Sequence, residues 1–367
     1  MVKKILKNME HKNLVLLIIG LAQFMVVLDT AIVNVALPSI AKSLNYNSPE
    51  SLQWVVTAYT LVFGGFLLLG GRAADLFGRK KIFLSGLILF TAISFVCGIA
   101  NNTTTLDIAR GLQGFAAAFM SPAALSILLT TFAEGKERHK ALGVWGAIAA
   151  GGAAAGVLIG GILTEYLGWR WNFFVNVPVG ILVILMTIKY VKESTAELDH
   201  SHLDIPGAVL VTSGLMTLVY GLTEAPKHGW LSHQAMWFII PSILLLVGFV
   251  VNESKSKHPL VPLSIFRMRN LSGANLTMLP ITAGMFSMFF FLTLYVQNIL
   301  HYSPIRSGLS FLPITFIIGI VSTMVASKLD KIGFKIPLII GPVFMAIGLY
   351  LLSQVRVNGT YLHDVLP

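Results

Sequence analysis

The chain has 367 residues, 55% of them hydrophobic and only 11% charged. About a quarter of the residues of a soluble domain are charged, so a surface facing water on all sides is excluded. The formal charge of +10 would suit nucleic acid, but the basic residues sit in short links between apolar runs rather than in one patch.

Apolar runs of about 18 residues or more read as membrane-spanning helices. Eleven occur, at roughly 14–37, 52–70, 82–100, 106–132, 141–163, 173–191, 205–222, 235–251, 272–299, 308–327 and 336–353. The first follows a basic start but is 24 residues long. A secretory signal core is shorter, about 7–15 residues, so this run reads as a retained helix. Within it lies Asp29. An ionisable group inside a spanning helix costs about 2.5–3.5 kcal/mol on insertion scales, so it faces a partner or a cavity. Thr30 and Asn34, one helical turn apart, make a polar arc with it. Two readings fit: a proton or cation site on a water-filled route, or a structural carboxylate tied to helix neighbours.

The link at 70–84 reads GGRAADLFGRKKIFL. Gly71 and Gly78 permit a tight turn. Asp75 stands among basic residues, including Arg79 and Lys80. It is placed to accept backbone N–H groups at the start of the third span or to pair with a basic neighbour. The plain alternative is an ordinary basic link. In the fourth span, Arg110 and Gln113 lie at i, i+3. Arg110 is either a fixed positive charge beside a carboxylate, a side chain snorkelling to the outer interface, or a partner of Asp107 at i−3. Gly152, Gly156 and Gly160 recur every fourth residue in the fifth span. That stripe lets another backbone approach closely, for static packing or for a sliding contact.

Polar links at about 189–204 and 252–271 group the spans six, two and three. The expected division is 1–195, 196–255 and 256–367. Asp199, His200, His202 and Asp204 share the first link without the spacing of a metal site, so neither metal nor cofactor is expected. Cys97 is the sole cysteine, which excludes an intrachain disulfide. There is no GxxxxGK[ST], GxSxG or HExxH pattern, and the expectation is a non-enzyme with no ATPase of its own. The chain stops at Pro367, just after a link, where a further apolar span would be natural; more helices are expected beyond it.

Numbering the links alternately places 20 basic residues on one side and 5 on the other, with Arg110 inside a span. A fourfold bias of this kind marks the cytoplasmic side. It puts the N-terminus inside and accounts for the basic excess without nucleic acid.

Several segments together resemble the drug:proton antiporters of the major facilitator superfamily. VVLDTAIVNVALPSI (26–40) resembles their first-helix motif, and the 70–84 link resembles the superfamily's loop between helices two and three, with Gly71, Asp75, Gly78, Arg79 and Lys80 in register. LDIARGLQGFAAAF (106–119) resembles the fourth-helix motif through Arg110, Gln113 and Gly114, and WGAIAAGGAAAGVLIGGIL (145–163) resembles the glycine-rich antiporter motif. Two departures are visible: Val157 follows Gly156 where proline is usual, and Leu76 follows Asp75 where a basic residue is common. GWRWNFFVNVPVGI (168–181), the stretch 204–230 and YVQNILHYSPIRSGLSFLP (295–313) are similar to the branch with fourteen spans, of which eleven are present.

The resemblance implies an all-α membrane bundle exporting small amphipathic or drug-like compounds by alternating access, driven by proton entry, in the plasma membrane. It implies proton coupling through Asp29 and Arg110 and a substrate cavity near Thr30, Asn34 and Gln113. The 70–84 residues would serve conformational change and the glycine stripe helix packing. Its partners would be substrate, protons and the bilayer. Rival readings are a metabolite, lipid or sugar facilitator without antiport, and a non-transporting receptor or assembly subunit. In a Cys97→Ser background, a cysteine at Glu137 is expected to resist a membrane-impermeant thiol reagent in intact cells. Labelling from outside would invert the orientation.

Overall fold

The computed structural model describes residues 11–195, 204–257 and 259–366. Among them, eleven helical segments are long and apolar enough to cross a membrane, matching the number of apolar runs. Helices are what such runs must form, because hydrocarbon offers no partner to a free N–H or C=O and the helix satisfies them internally.

The first seven helices form a closely packed unit. These are α1 (His11–Leu44), α2 (Pro49–Phe77), α3 (Arg79–Ile99), α4 (Thr103–Thr131), α5 (Lys136–Tyr166), the short α6 (Trp171–Phe174) and α7 (Asn176–Tyr190). α6 and α7 together make the sixth span, Trp171–Tyr190. The helices outrun their apolar runs. At 34 residues, α1 is about 50 Å long, well beyond the roughly 30 Å hydrocarbon core. Hydropathy senses only the part in lipid, whereas the ends are set by capping. Ser48 accepts from Ser51 N at 3.2 Å and Ser51 reciprocates to Ser48 N at 3.3 Å, starting α2. Asn102 accepts from Thr105 N at 2.8 Å to start α4. Gly78, at φ +109°, turns the chain from α2 into α3, a conformation that favours a residue without Cβ.

A helical pair follows, α8 (Ile205–His228) against α9 (His233–Lys255), and α8 also packs on α2. Thr212 Oγ1 donates to the Gly65 carbonyl of α2 at 2.8 Å. Asp204 caps α8 by accepting from Gly207 N at 2.9 Å, and its second oxygen accepts from Asn252 Nδ2 of α9 at 2.7 Å. The remaining helices are α10 (Arg269–Leu294), α11 (Pro304–Ser310), α12 (Leu312–Ile332) and α13 (Lys335–Leu352). α11 and α12 lean on α5, and α10 packs on α13.

Large apolar side chains such as Ile108, Leu185, Leu244 and Phe344 face outward. In lipid this carries no hydrophobic penalty, so close backbone approach takes over as the packing force. The glycine stripe supplies it, and its partner is α1. A Cβ at Gly156 would lie 2.6 Å from Ala31 Cβ and 3.0 Å from the Leu28 carbonyl, and one at Gly160 would lie 2.7 Å from Ile32 Cγ1. Val157 points elsewhere, packing with Val35 and with Phe311, the residue joining α11 to α12. Gly156→Leu is therefore expected to lose much more thermal stability in detergent, and more transport, than Val157→Leu. Forced overpacking of this kind costs about 1–3 kcal/mol or more. Equal melting temperatures and equal activity would show that the contact yields freely.

Candidate functional site

The unit α1–α7 has two apolar cores that follow one another along the helices. One gathers Ile18, Met25, Phe83, Phe90 and Met120, and the other Ile32, Ile40, Cys97, Leu106 and Phe173. Where α1, α3, α4 and the α6–α7 span pass from one core to the other, each carries a polar residue near the junction. These are Asp29 on α1, Ser94 on α3, Arg110 and Gln113 on α4, and Asn176 at the start of α7, all buried.

The residues meet. Arg110 Nη1 donates to Asp29 Oδ2 at 2.5 Å, with Asp29 0% and Arg110 1% exposed. Asp29 Oδ1 accepts from Gln113 Nε2 at 2.9 Å and from Asn176 Nδ2 at 3.0 Å. Arg110 is held in turn: Nε donates to the Val55 carbonyl at 2.9 Å and Nη1 to Gln113 Oε1 at 2.7 Å. Its guanidinium lies 4.4 Å from the Tyr59 ring centroid, a cation–π contact. Gln113 Nε2 also donates to Ser94 Oγ at 2.9 Å. Four helices are thereby joined through one carboxylate and one guanidinium. The contacts between these helices therefore depend on the opposite charges of one buried pair.

Two of the sequence readings for Arg110 fall away. Its side chain turns inward rather than to the interface. Asp107 instead accepts the Tyr46 hydroxyl at 2.8 Å. Burial, and then the Asp107 carboxylate, push the Tyr46 phenol pKa upward, so it stays a donor. The polar arc of α1 also divides. Thr30 Oγ1 donates to its own helix at Val26 O (3.1 Å), and Asn34 Nδ2 to Thr30 O (3.1 Å). Asp29 leaves them for the cation on α4, while a hydroxyl or amide is satisfied by a carbonyl one turn back. Asn34 remains exposed on α1 and Thr30 half-buried. Asn176 and Ser94 are members the sequence reading missed. The available signal was a polar side chain inside an apolar span, as for Gln113.

The 70–84 link separates into two roles. Asp75 takes the basic partner: Arg79 Nε and Nη2 donate to its Oδ1 at 3.2 and 3.1 Å, and Ser126 Oγ donates at 3.3 Å. The N–H groups at the start of α3 go to Glu193 instead, Lys80 N to Oε1 at 3.0 Å and Lys81 N to Oε2 at 3.1 Å. Lys80 Nζ reaches the Ile188 carbonyl at 3.0 Å. Gly71 packs beside Pro122, and a Cβ on Gly78 would lie 2.8 Å from the Glu193 carboxylate. Glu193, beyond the C-terminus of α7, was not anticipated.

Asp199, His200 and His202 lie outside the described residues, and Asp204 serves as a helix cap. Among the described residues no three His, Cys, Asp or Glu side chains gather as metal ligands.

A family profile, Major Facilitator Superfamily, matches residues 19–362. The chain belongs to the major facilitator superfamily. It is therefore a multi-pass membrane transporter rather than an enzyme. It is 42% identical to the puromycin resistance protein pur8 of Streptomyces alboniger, over 96% of this chain and 70% of that protein. It is 38% identical to the cephamycin export protein CmcT of Amycolatopsis lactamdurans, over 94% of this chain and 71% of that protein. The tetracenomycin C resistance and export protein of Streptomyces glaucescens is 32% identical, over 94% of this chain and 63% of that protein. Among solved structures, the superfamily's proton:xylose symporter XylE superposes with a TM-score of 0.60 at 16% identity, over 94% of this chain and 74% of that one. A peptide transporter, POT, gives 0.63 at 16% identity, over 93% and 74%. These two share the fold.

Removing one partner of a buried ion pair strands the other, at about 3–5 kcal/mol. Arg110→Met is therefore expected to lower the melting temperature sharply. Asp29→Asn together with Arg110→Met should recover much of the loss, because no charge is then left buried alone. Additive losses in the double variant would show that the two residues act independently.

Proposed function

We propose that the protein exports small amphipathic, drug-like compounds across the cell membrane in exchange for protons. The observation that carries this reading is the Asp29 carboxylate, fully buried between two apolar cores and bound to Arg110. The printed roles of the relatives, antibiotic resistance and export, favour export over uptake.

In this reading residues 1–195 and 256–367 belong to the two opposed bundles, and 196–255 form an added helical pair. The N-terminus is cytoplasmic. When Asp29 is ionised, Arg110, Gln113 and Asn176 draw α1, α4 and α7 together. A proton arriving at the carboxylate removes its charge, and the Arg110 contact weakens from an ion pair to a hydrogen bond between the guanidinium cation and a neutral acid. The helices then rearrange, and access passes to the other face. Coupling acts through these helix contacts, since both Asp29 oxygens are already occupied. The Asp75–Arg79 pair and the Glu193 cap hold the cytoplasmic link between α2 and α3. Thr30, Asn34 and Gln113 border the substrate route. Phe311 packing on Val157 and Val35 is an apolar contact between the bundles.

Asp29→Asn keeps size and hydrogen bonding without a titratable group. It is expected to abolish uphill, pH-driven efflux of a panel of organic cations from vesicles holding the full-length protein. Because it strands the Arg110 charge, it also lowers the melting temperature, so efflux is measured well below that temperature on protein shown to be folded. Asp29→Glu should retain part of the activity. An Asn variant that pumps uphill with an unchanged response to an imposed pH difference would remove Asp29 from coupling. Downhill flux with no proton dependence in the unaltered protein would make it a facilitator. Absence of any flux would favour a receptor or assembly role.

A further inference from the structure

Every group that touches Asp29 must serve it in two forms if it carries a proton: as a carboxylate that accepts and as a carboxylic acid that also donates. Arg110 has only donors. Gln113 presents Nε2 to Asp29, and its Oε1 already accepts from Arg110 at 2.7 Å and from Cys97 Sγ at 3.5 Å. Ser94 faces Gln113 and donates its own hydroxyl to the Phe90 carbonyl at 2.8 Å. Tyr59 from α2 offers its ring face to Arg110. Arg110, Tyr59 and Cys97 are thus the titratable groups around the carboxylate. The Tyr59 hydroxyl is also buried without a partner, but none of its atoms is hydrogen-bonded to Asp29, so among these groups an open acceptor in contact with the carboxylate is still wanting. Asn176 differs. Its Nδ2 donates to Asp29 Oδ1 at 3.0 Å, while its Oδ1 is buried with no hydrogen-bond partner. Asn176 is 1% exposed, so water does not satisfy that oxygen from bulk.

We propose that Asn176 is the positioning residue that lets Asp29 exist in both protonation states: its amide donates to the carboxylate through Nδ2 and turns over to accept the carboxylic O–H through Oδ1. The inference rests on the reading of Asp29 as the proton carrier. The proton adds to Asp29 Oδ1, while Oδ2 keeps its contact with Arg110. Gln113 Nε2 still donates to the protonated oxygen through its remaining lone pair or turns wholly to Ser94. The Asn176 side chain rotates about its last torsion, whose profile is broad and roughly two-fold. No bond other than the new O–H forms or breaks. An orphaned buried acceptor beside a donor-only cluster is costly in one state. It is explained when the same atom is needed in the other.

The test is infrared difference spectroscopy of the full-length protein across an acid titration, with Asp29→Asn identifying the Asp29 carboxylic C=O band. In Asn176→Leu, which fills the site without hydrogen bonds, the band is expected to move to higher frequency, because the acid has lost its acceptor. Asn176→Gln, which restores the amide, should bring the band back toward its original position. A band at the same frequency in the unaltered protein and in Asn176→Leu would overturn the proposal while leaving Asp29 as the proton carrier. If no band vanishes in Asp29→Asn, Asp29 does not protonate, and both the proposal and the coupling reading fail.

Discussion

Moving a carboxylate and a guanidinium out of water costs several kcal/mol for each ion, and their attraction repays this only when geometry and hydrogen bonding are nearly complete. That condition organises the first seven helices. Asp29 is saturated by three donors from α4 and α7, and Arg110 by a backbone carbonyl of α2, a side-chain amide and an aromatic face. While Asp29 is ionised, none of these partners can shift without exposing a charge to low dielectric. The packing of α1 against α4 and α7 is therefore specified by polar chemistry at one level and by apolar contact elsewhere. Close glycine contacts reinforce it. A Cβ on Gly114 would run into the Tyr59 carbonyl, and one on Gly86 would lie 2.9 Å from the Ala116 carbonyl. These glycines let α4 sit close enough to α2 and α3 for short polar side chains to meet.

The link between α2 and α3 obeys a different economy of charge. It is rich in cations, and α3 begins there with free N–H groups and no acidic residue in its first turn. The acid that meets this need comes from the far side of α7, where Glu193 accepts from two consecutive amides and Ser194 O accepts from Arg79 N at 3.0 Å. Asp75 is left to Arg79 and Ser126. The start of α3 is thus tied to the end of α7, and α4 to the end of α2.

How far this could be read from sequence depends on the range of the interaction. The eleven spans were legible because bilayer thickness imposes a length and a composition on each segment separately. Asp29 and Arg110 were legible as anomalies, since a charge in an apolar run needs a partner. Their pairing was not, because it joins positions 81 residues apart and Asp107 at i−3 was an equally good local partner. Thr30 and Asn34 show the opposite error. Sequence proximity placed them with Asp29, yet back-bonding along α1 satisfies them without it. Asn176 and Glu193 escaped notice because an amide near a helix start and an acid in a basic link are individually unremarkable. Only the tertiary neighbours give them meaning. Helix ends differed for a local reason: caps such as Asn102 act on the backbone, beyond the apolar stretch.

Among the described residues, the pair α8–α9 packs chiefly on α2. Thr212 donates to a carbonyl of α2, Met216 packs against Gly65, and Tyr220 lies 5.7 Å from Trp54 by ring centroids. Its outer surface is apolar and faces lipid, with Trp237, Leu244 and Val247 exposed. Any tilting of α2 must sweep this hairpin sideways through acyl chains like an outrigger. The drag on that motion scales with membrane viscosity rather than with the strength of any contact inside the protein. Lipid order then becomes a kinetic variable of the transporter, entering through two helices that touch neither the buried carboxylate nor its partners.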